Sequence, residues 1–77
     1  MRVFSFSKEG TAEILRIMRK TKQWSQKELA TKAGLSEASI KGYENGENVM
    51  SLEAAVKIAN AFEVTPEMLV NTVEVPS

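Results

Sequence analysis

The chain has 77 residues, no Cys and no His, and its ten Lys+Arg balance ten acidic residues to a formal net charge of zero. At that length it is expected to be one domain, 1–77, with no cleft between two domains. The missing Cys and His exclude disulfides, thiolate chemistry, Cys-bearing zinc sites and the usual general base near neutral pH, so the reading is a non-enzyme with no cofactor and no metal. No apolar run approaches the ~20 residues of a membrane helix. The start, MRVFSFSKEG, lacks the apolar core and small-residue cleavage site of a signal peptide. A cytoplasmic protein is therefore expected. A hydrophobic content of 43% favours a packed core over disorder.

Taken in chain order, Val3-Phe4-Ser5-Phe6 alternates weakly and is rich in strand formers. A first helix is expected from about Ser7 or Thr11 to Lys22, because Ile14, Leu15, Ile17 and Met18 fall at the three- and four-residue spacing of one face. Ser25 and Glu28 make a capping box ahead of Leu29, Ala30 and Ala33. Gly34 ends that second helix, since the turn needs a left-handed residue. Ser36 caps a third helix running to about Asn45, and Gly46 stops it. Ser51 caps a fourth, whose apolar positions are Leu52, Ala55, Ile58, Ala59 and Phe62. Thr65-Pro66 opens a short fifth helix to about Val70. Thr72-Val73-Glu74-Val75 again suits a strand. A lone strand of this kind is not stable, so the two tails pair within one chain or across a dimer, or they fray.

Between the second helix and the next cap stand only Gly34 and Leu35. The corner is tight, Ala30 is small where two helices must approach, and Leu29, Leu35, Ile40 and Tyr43 turn inward. This is a helix-turn-helix pattern, about residues 25–46, a motif whose second helix enters the major groove of DNA. Advancing ~100° per residue from Glu37 places Lys41 at ~40°, Asn45 at ~80°, Ala38 at ~100° and Gly42 at ~140°, with Tyr43 at ~240° and Ile40 at ~300°. A polar or small arc thus opposes the apolar one, as suits either a groove-facing helix or an ordinary solvated face.

WSQKELATKAGLSEASIKGYENG, Trp24 to Gly46, resembles the phage-repressor and Cro-like helix-turn-helix family of the XRE type. Leu15 to Lys20 resembles that family's first helix, and Ser51 to Val70 its fourth and fifth. The resemblance implies an all-α, five-helix lambda-repressor-like domain, to which the two tails can add short terminal β-strands. It implies base contacts at Ser36, Glu37, Ala38, Lys41 and Gly42. It implies phosphate contacts at Ser25, Gln26, Ser39 and Asn45, and a structural ion pair between Arg19 and Glu44. By chemistry, Lys41 suits a guanine edge, Glu37 a cytosine amine and Ala38 a thymine methyl. The bland alternative for Glu37 and Lys41 is a solvent salt bridge. Ser25 reads first as a cap, and Trp24 as packing between helices. Phe62, Val64 and Leu69 are core or a subunit contact.

The function that follows is sequence-specific DNA binding by a transcriptional regulator, most simply an operator-binding repressor. Its partners would be double-stranded DNA, at a palindromic operator, and a second copy in a homodimer, with no membrane. The setting would be prokaryotic, nucleoid-associated or phage-encoded. The alternatives are the antitoxin of a toxin–antitoxin pair and a protein-binding adaptor. Zero net charge argues against DNA only on average. Residues 1–46 hold nine Lys/Arg against five Glu, a net +4, and residues 47–77 hold one Lys against five Glu, a net −4. The helix-turn-helix lies wholly in the positive half.

Overall fold

The computed structural model describes residues 2–5, 8–69 and 71–74. In chain order these form β1 (Arg2–Ser5), α1 (Lys8–Thr21), α2 (Gln26–Ala33), α3 (Glu37–Glu44), α4 (Leu52–Phe62), a 3-10 turn (Pro66–Leu69) and β2 (Asn71–Glu74). The body is an all-α helix-turn-helix. The tails pair with each other, antiparallel, with Arg2 opposite Glu74 and Ser5 opposite Asn71. Of the expected boundaries, Ser7, Val70 and the strand ends Phe6 and Val75 lie outside the described residues. The expected fifth α-helix is a single 3-10 turn, closed by the Met68 amide donating to the Thr65 carbonyl at 3.1 Å. Four residues allow the tighter i→i+3 pattern but little more.

Each helix start from α2 onward carries a serine cap. The Ser25 hydroxyl accepts from the Glu28 amide at 3.0 Å, and the Glu28 carboxylate accepts from the Ser25 amide at 3.1 Å. Ser36 caps α3 through the Ser39 amide, and Ser51 caps α4 through the Ala54 amide, both at 3.1 Å. All four helices end alike, in a left-handed residue followed by an amide that reaches back five residues. The closures are Trp24 to Arg19, Leu35 to Ala30, Glu47 to Gly42 and Val64 to Ala59. Two of the left-handed residues are Gly34 and Gly46, as the sequence leads one to expect, and two are Gln23 (φ 61°) and Glu63 (φ 59°).

The core gathers Leu15 of α1, Leu29, Ala30 and Ala33 of α2, Ile40 of α3, five residues of α4, Met50 and Leu69. Alanines at 30, 33, 54, 55 and 59 let the helices approach closely around the larger side chains. At the α1 side of this core Trp24 stacks on Phe62, ring centroids 5.1 Å apart and planes 19° from parallel. The Lys32 ammonium lies 5.0 Å from the Trp24 ring centre. The expected apolar stripe of α4 needs one correction. Leu52 is 68% exposed, and Val56, one turn on, is exposed beside it. Both lie on the solvent side of the helix, whereas Phe62 and Leu69 are buried.

Candidate nucleic-acid interface

The placement of α3 begins at its buried C-terminal end. Glu44 is 1% exposed, and its carboxylate meets three donors. Arg19 Nε donates to Oε2 at 2.7 Å, Arg19 Nη2 to Oε1 at 2.9 Å, and Gln26 Nε2 to Oε1 at 3.3 Å. This two-pronged geometry matches the planar guanidinium to the carboxylate and resists rotation of either. The remaining Arg19 nitrogen, Nη1, donates to the Trp24 carbonyl at 2.8 Å, tying in the loop between α1 and α2. Hydrogen bonding to Glu44 raises the Arg19 pKa further above its already high ordinary value, against the opposing effect of burial. Arg16 adds a contact that the sequence reading missed: its Nη1 donates to the Glu44 backbone carbonyl at 3.0 Å. A cation there also meets the negative end of the α3 dipole. The available signal was the three-residue spacing of Arg16 and Arg19, which puts both on one side of α1.

With its end so fixed, α3 turns Ile40 into the core and leaves Ala38 and Lys41 exposed, with Glu37 half-buried beside them. Glu37 and Lys41 face each other across one turn at 3.5 Å. An exposed pair of this kind stabilises a helix by only a few tenths of a kcal/mol, so it opens readily. Ser36 is exposed; its hydroxyl donates to that of Ser39 at 2.9 Å, so both polar groups are already engaged with each other. Ser25 is exposed, Gln26 half-buried and Asn45 exposed. Gln26 opens α2 where unpaired amides make a favourable place for an anion.

Gly42 departs from the arc to which the angular reading assigned it. It is buried, and the chain after α3 folds back over it. Its carbonyl accepts from the Glu47 amide at 3.0 Å and the Asn48 amide at 3.3 Å. A Cβ at this position would collide with the Asn48 side-chain amide. Gly42, for which the resemblance implies a base contact, thus lies beneath the returning loop, with the exposed Asn48 beside it. Nothing in the residue types of 46–50 announces this, because the coverage depends on how the loop closes.

Among the residues whose burial is described, the exposed cations of the positive half are Arg16, Lys20, Lys22, Lys27, Lys32 and Lys41, while Arg19 is taken up inside the structure. Among the described residues, no helix is long and apolar enough to cross a membrane.

A family model described as Helix-turn-helix (HTH_3) matches residues 15–69. Among curated proteins, the chain is 32% identical over 60 residues to antitoxin HipB of Escherichia coli O6:H1 strain CFT073, a match covering 78% of this chain and 64% of that protein. The chain therefore matches less than two thirds of that relative's length. Among solved structures it is similar to the restriction-modification controller protein C.AhdI from Aeromonas hydrophila. That match has a TM-score of 0.77 and 32% identity, and it covers 80% of this chain and 94% of the other. It is similar also to the hypothetical transcription factor NHTF from Neisseria, with a TM-score of 0.77 and 30% identity over 82% and 72% of the two chains.

Proposed function

The chain belongs to the HTH_3 helix-turn-helix family, and from that premise we propose that it is a regulator that binds operator DNA with α3 in the major groove. The observation that carries this is the clamp on Glu44. It fixes the angle of α3 while leaving Ala38 and Lys41 facing outward. In this reading Ser36, Glu37, Ala38 and Lys41 meet base edges, with Lys41 leaving Glu37 for a guanine. Ser25, Gln26, Ser39 and Asn45 meet phosphates, and Gln26 keeps a second amide hydrogen for that purpose beside the one given to Glu44. Phosphate contacts supply affinity and its salt dependence, and base contacts supply specificity.

The protein acts as a homodimer on a palindromic site in the cytoplasm. One half-site read by one helix gives little specificity, and two-fold symmetry doubles the contact. The exposed Leu52 and Val56 on α4 support a contact between copies. As to the wider role, the curated similarity to antitoxin HipB favours an antitoxin, which binds a toxin protein as well as DNA, over a free-standing repressor. Similarity to the controller protein C.AhdI supports the regulatory half that both roles share.

Selection from a random DNA pool, with solution mass measured in parallel, tests the reading. The expected result is an enriched inverted repeat bound by a dimer. A pool that yields no enriched motif rejects DNA regulation and leaves a protein-binding adaptor. Co-expression with the product of the neighbouring gene separates the two roles. Relief of growth arrest by a stoichiometric complex marks the antitoxin.

A further inference from the structure

The function proposed above gives this regulator a protein partner as well as DNA. Resting on that reading, we propose that the partner docks in the groove between the C-terminal end of α1 and the end of α4, through an apolar side chain flanked by a carboxylate. The groove has a volume of about 240 Å³ and is lined by Ile17, Met18, Thr21, Lys22, Phe62 and Val64. Its floor is the buried Phe62, and Ile17 on its wall is 58% exposed. The one hydroxyl, that of Thr21, is engaged with the Ile17 carbonyl at 2.8 Å. The one charge is the exposed Lys22 ammonium, which forms no ion pair among the described residues. An apolar group with a single anion beside it therefore meets both the walls and the rim. Sites that surround a small molecule hold roughly 300–1,000 Å³, so this smaller groove takes one anchoring side chain of a larger body. In the proposed dimer, contact between copies falls to the exposed Leu52 and Val56, which leaves the groove to a different protein. Its place also leaves DNA undisturbed. Advancing ~100° per residue along α1 from Ile17 puts Thr21 at ~40° and Met18 at ~100°, but Arg19 at ~200° and Arg16 at ~260°. The arginines that hold α3 through Glu44 thus stand on the other flank of α1. Partner and operator bind together and do not compete.

Ile17→Ser and Lys22→Gln change exposed positions, so both variants should stay folded, which circular dichroism verifies. A displayed library of random peptides is selected against the wild-type protein. Enriched peptides are then titrated calorimetrically against the wild type and both variants. The peptides are expected to share an aliphatic or aromatic residue next to Asp or Glu. Their Kd should rise about ten-fold in each variant. Saturation of the wild type with the duplex selected from the DNA pool should leave that Kd unchanged. Peptides of another pattern, or equal binding to the variants, overturn the proposal. Displacement by the duplex also overturns it, by placing the peptides on the DNA-binding face. If Ile17→Ser lowers the solution mass of the protein itself, the groove belongs to a second copy and the proposal is again overturned. Co-expression with the product of the neighbouring gene separates this assignment from the reading on which it rests. A complex formed by the wild type and lost from Ile17→Ser supports both. A complex kept at full strength by both variants overturns the groove while the antitoxin reading stands. If the wild type forms no complex, the antitoxin reading fails, and the peptide titration decides the groove.

Discussion

Glu44 illustrates how a single residue can be legible in role and illegible in detail. Its sequence position, resembling that of a family ion pair, points to Arg19. That Arg16 and Gln26 also converge on Glu44 depends on the crossing of three helices and on no local pattern. The arrangement has a measurable consequence. Arg19→Ala leaves a buried carboxylate with only the Gln26 amide, and is expected to cost about 3 kcal/mol in urea unfolding. Arg19→Ala combined with Glu44→Ala should cost clearly less than the sum of the two single changes, because the stranded charge is gone. Strict additivity would mean that Glu44 does not depend on Arg19. Lys41 should behave in the opposite manner. Its exposed pair with Glu37 matters little to folding, so Lys41→Ala should alter stability by less than about 0.5 kcal/mol. On the proposed function it should weaken operator binding by about 1–3 kcal/mol and relax one base position. Equal loss on every sequence would make Lys41 a phosphate contact.

At the scale of elements, starts were more legible than ends. Ser25, Ser36 and Ser51 each announce a helix, because a hydroxyl can satisfy an orphan amide and few other residue types do so. Ends are announced only where glycine stands at the left-handed position. Gly34 and Gly46 do so, while Gln23 and Glu63 adopt the same conformation under the pull of their closing hydrogen bonds. Such residues retain strain that glycine would relieve. Glu63→Gly is therefore expected to raise stability by about 1 kcal/mol. Gly34→Ala, where the added methyl meets nothing within 4 Å but the backbone is at φ 70°, should lower it by a similar amount. Both are read from unfolding midpoints. A loss of stability in Glu63→Gly would show that the Glu63 side chain contributes more than its backbone costs. The fifth helix is shorter than its sequence suggests for a related reason. Pro66 marks a helical start, but four residues to Leu69 leave room for one turn only.

For the molecule as a whole, zero net charge is the sum of two opposed halves, and this decides how binding should respond to salt. The described part of the positive half carries the helix-turn-helix, and one of its cations, Arg19, is spent within the fold. The slope of log affinity against log salt should therefore reflect the exposed lysines and not the count of basic residues. Replacement of Lys27 by Gln is expected to make it shallower by less than 1 per subunit if that residue meets phosphate. Leu52, 68% exposed on α4, should matter only to assembly. On the proposed homodimeric function, Leu52→Glu is expected to yield a folded monomer by sedimentation, with operator affinity lost through halved contact. A dimer that survives this change would move the contact elsewhere. Amphipathic spacing alone could not separate Leu52 from Ala55 and Ile58, because a subunit contact and a core position obey the same period.

The stack of Trp24 on Phe62, with Lys32 above it, has a practical corollary. It is the chain's only tryptophan, and it joins the segment between α1 and α2 to the far end of α4. Its emission is consequently a gauge of whether those parts separate together or in turn. If the domain opens as one unit, the fluorescence and helical-circular-dichroism transitions of the wild type should coincide. An optical change preceding the loss of helix would reveal that α4 detaches while the helix-turn-helix corner is still intact.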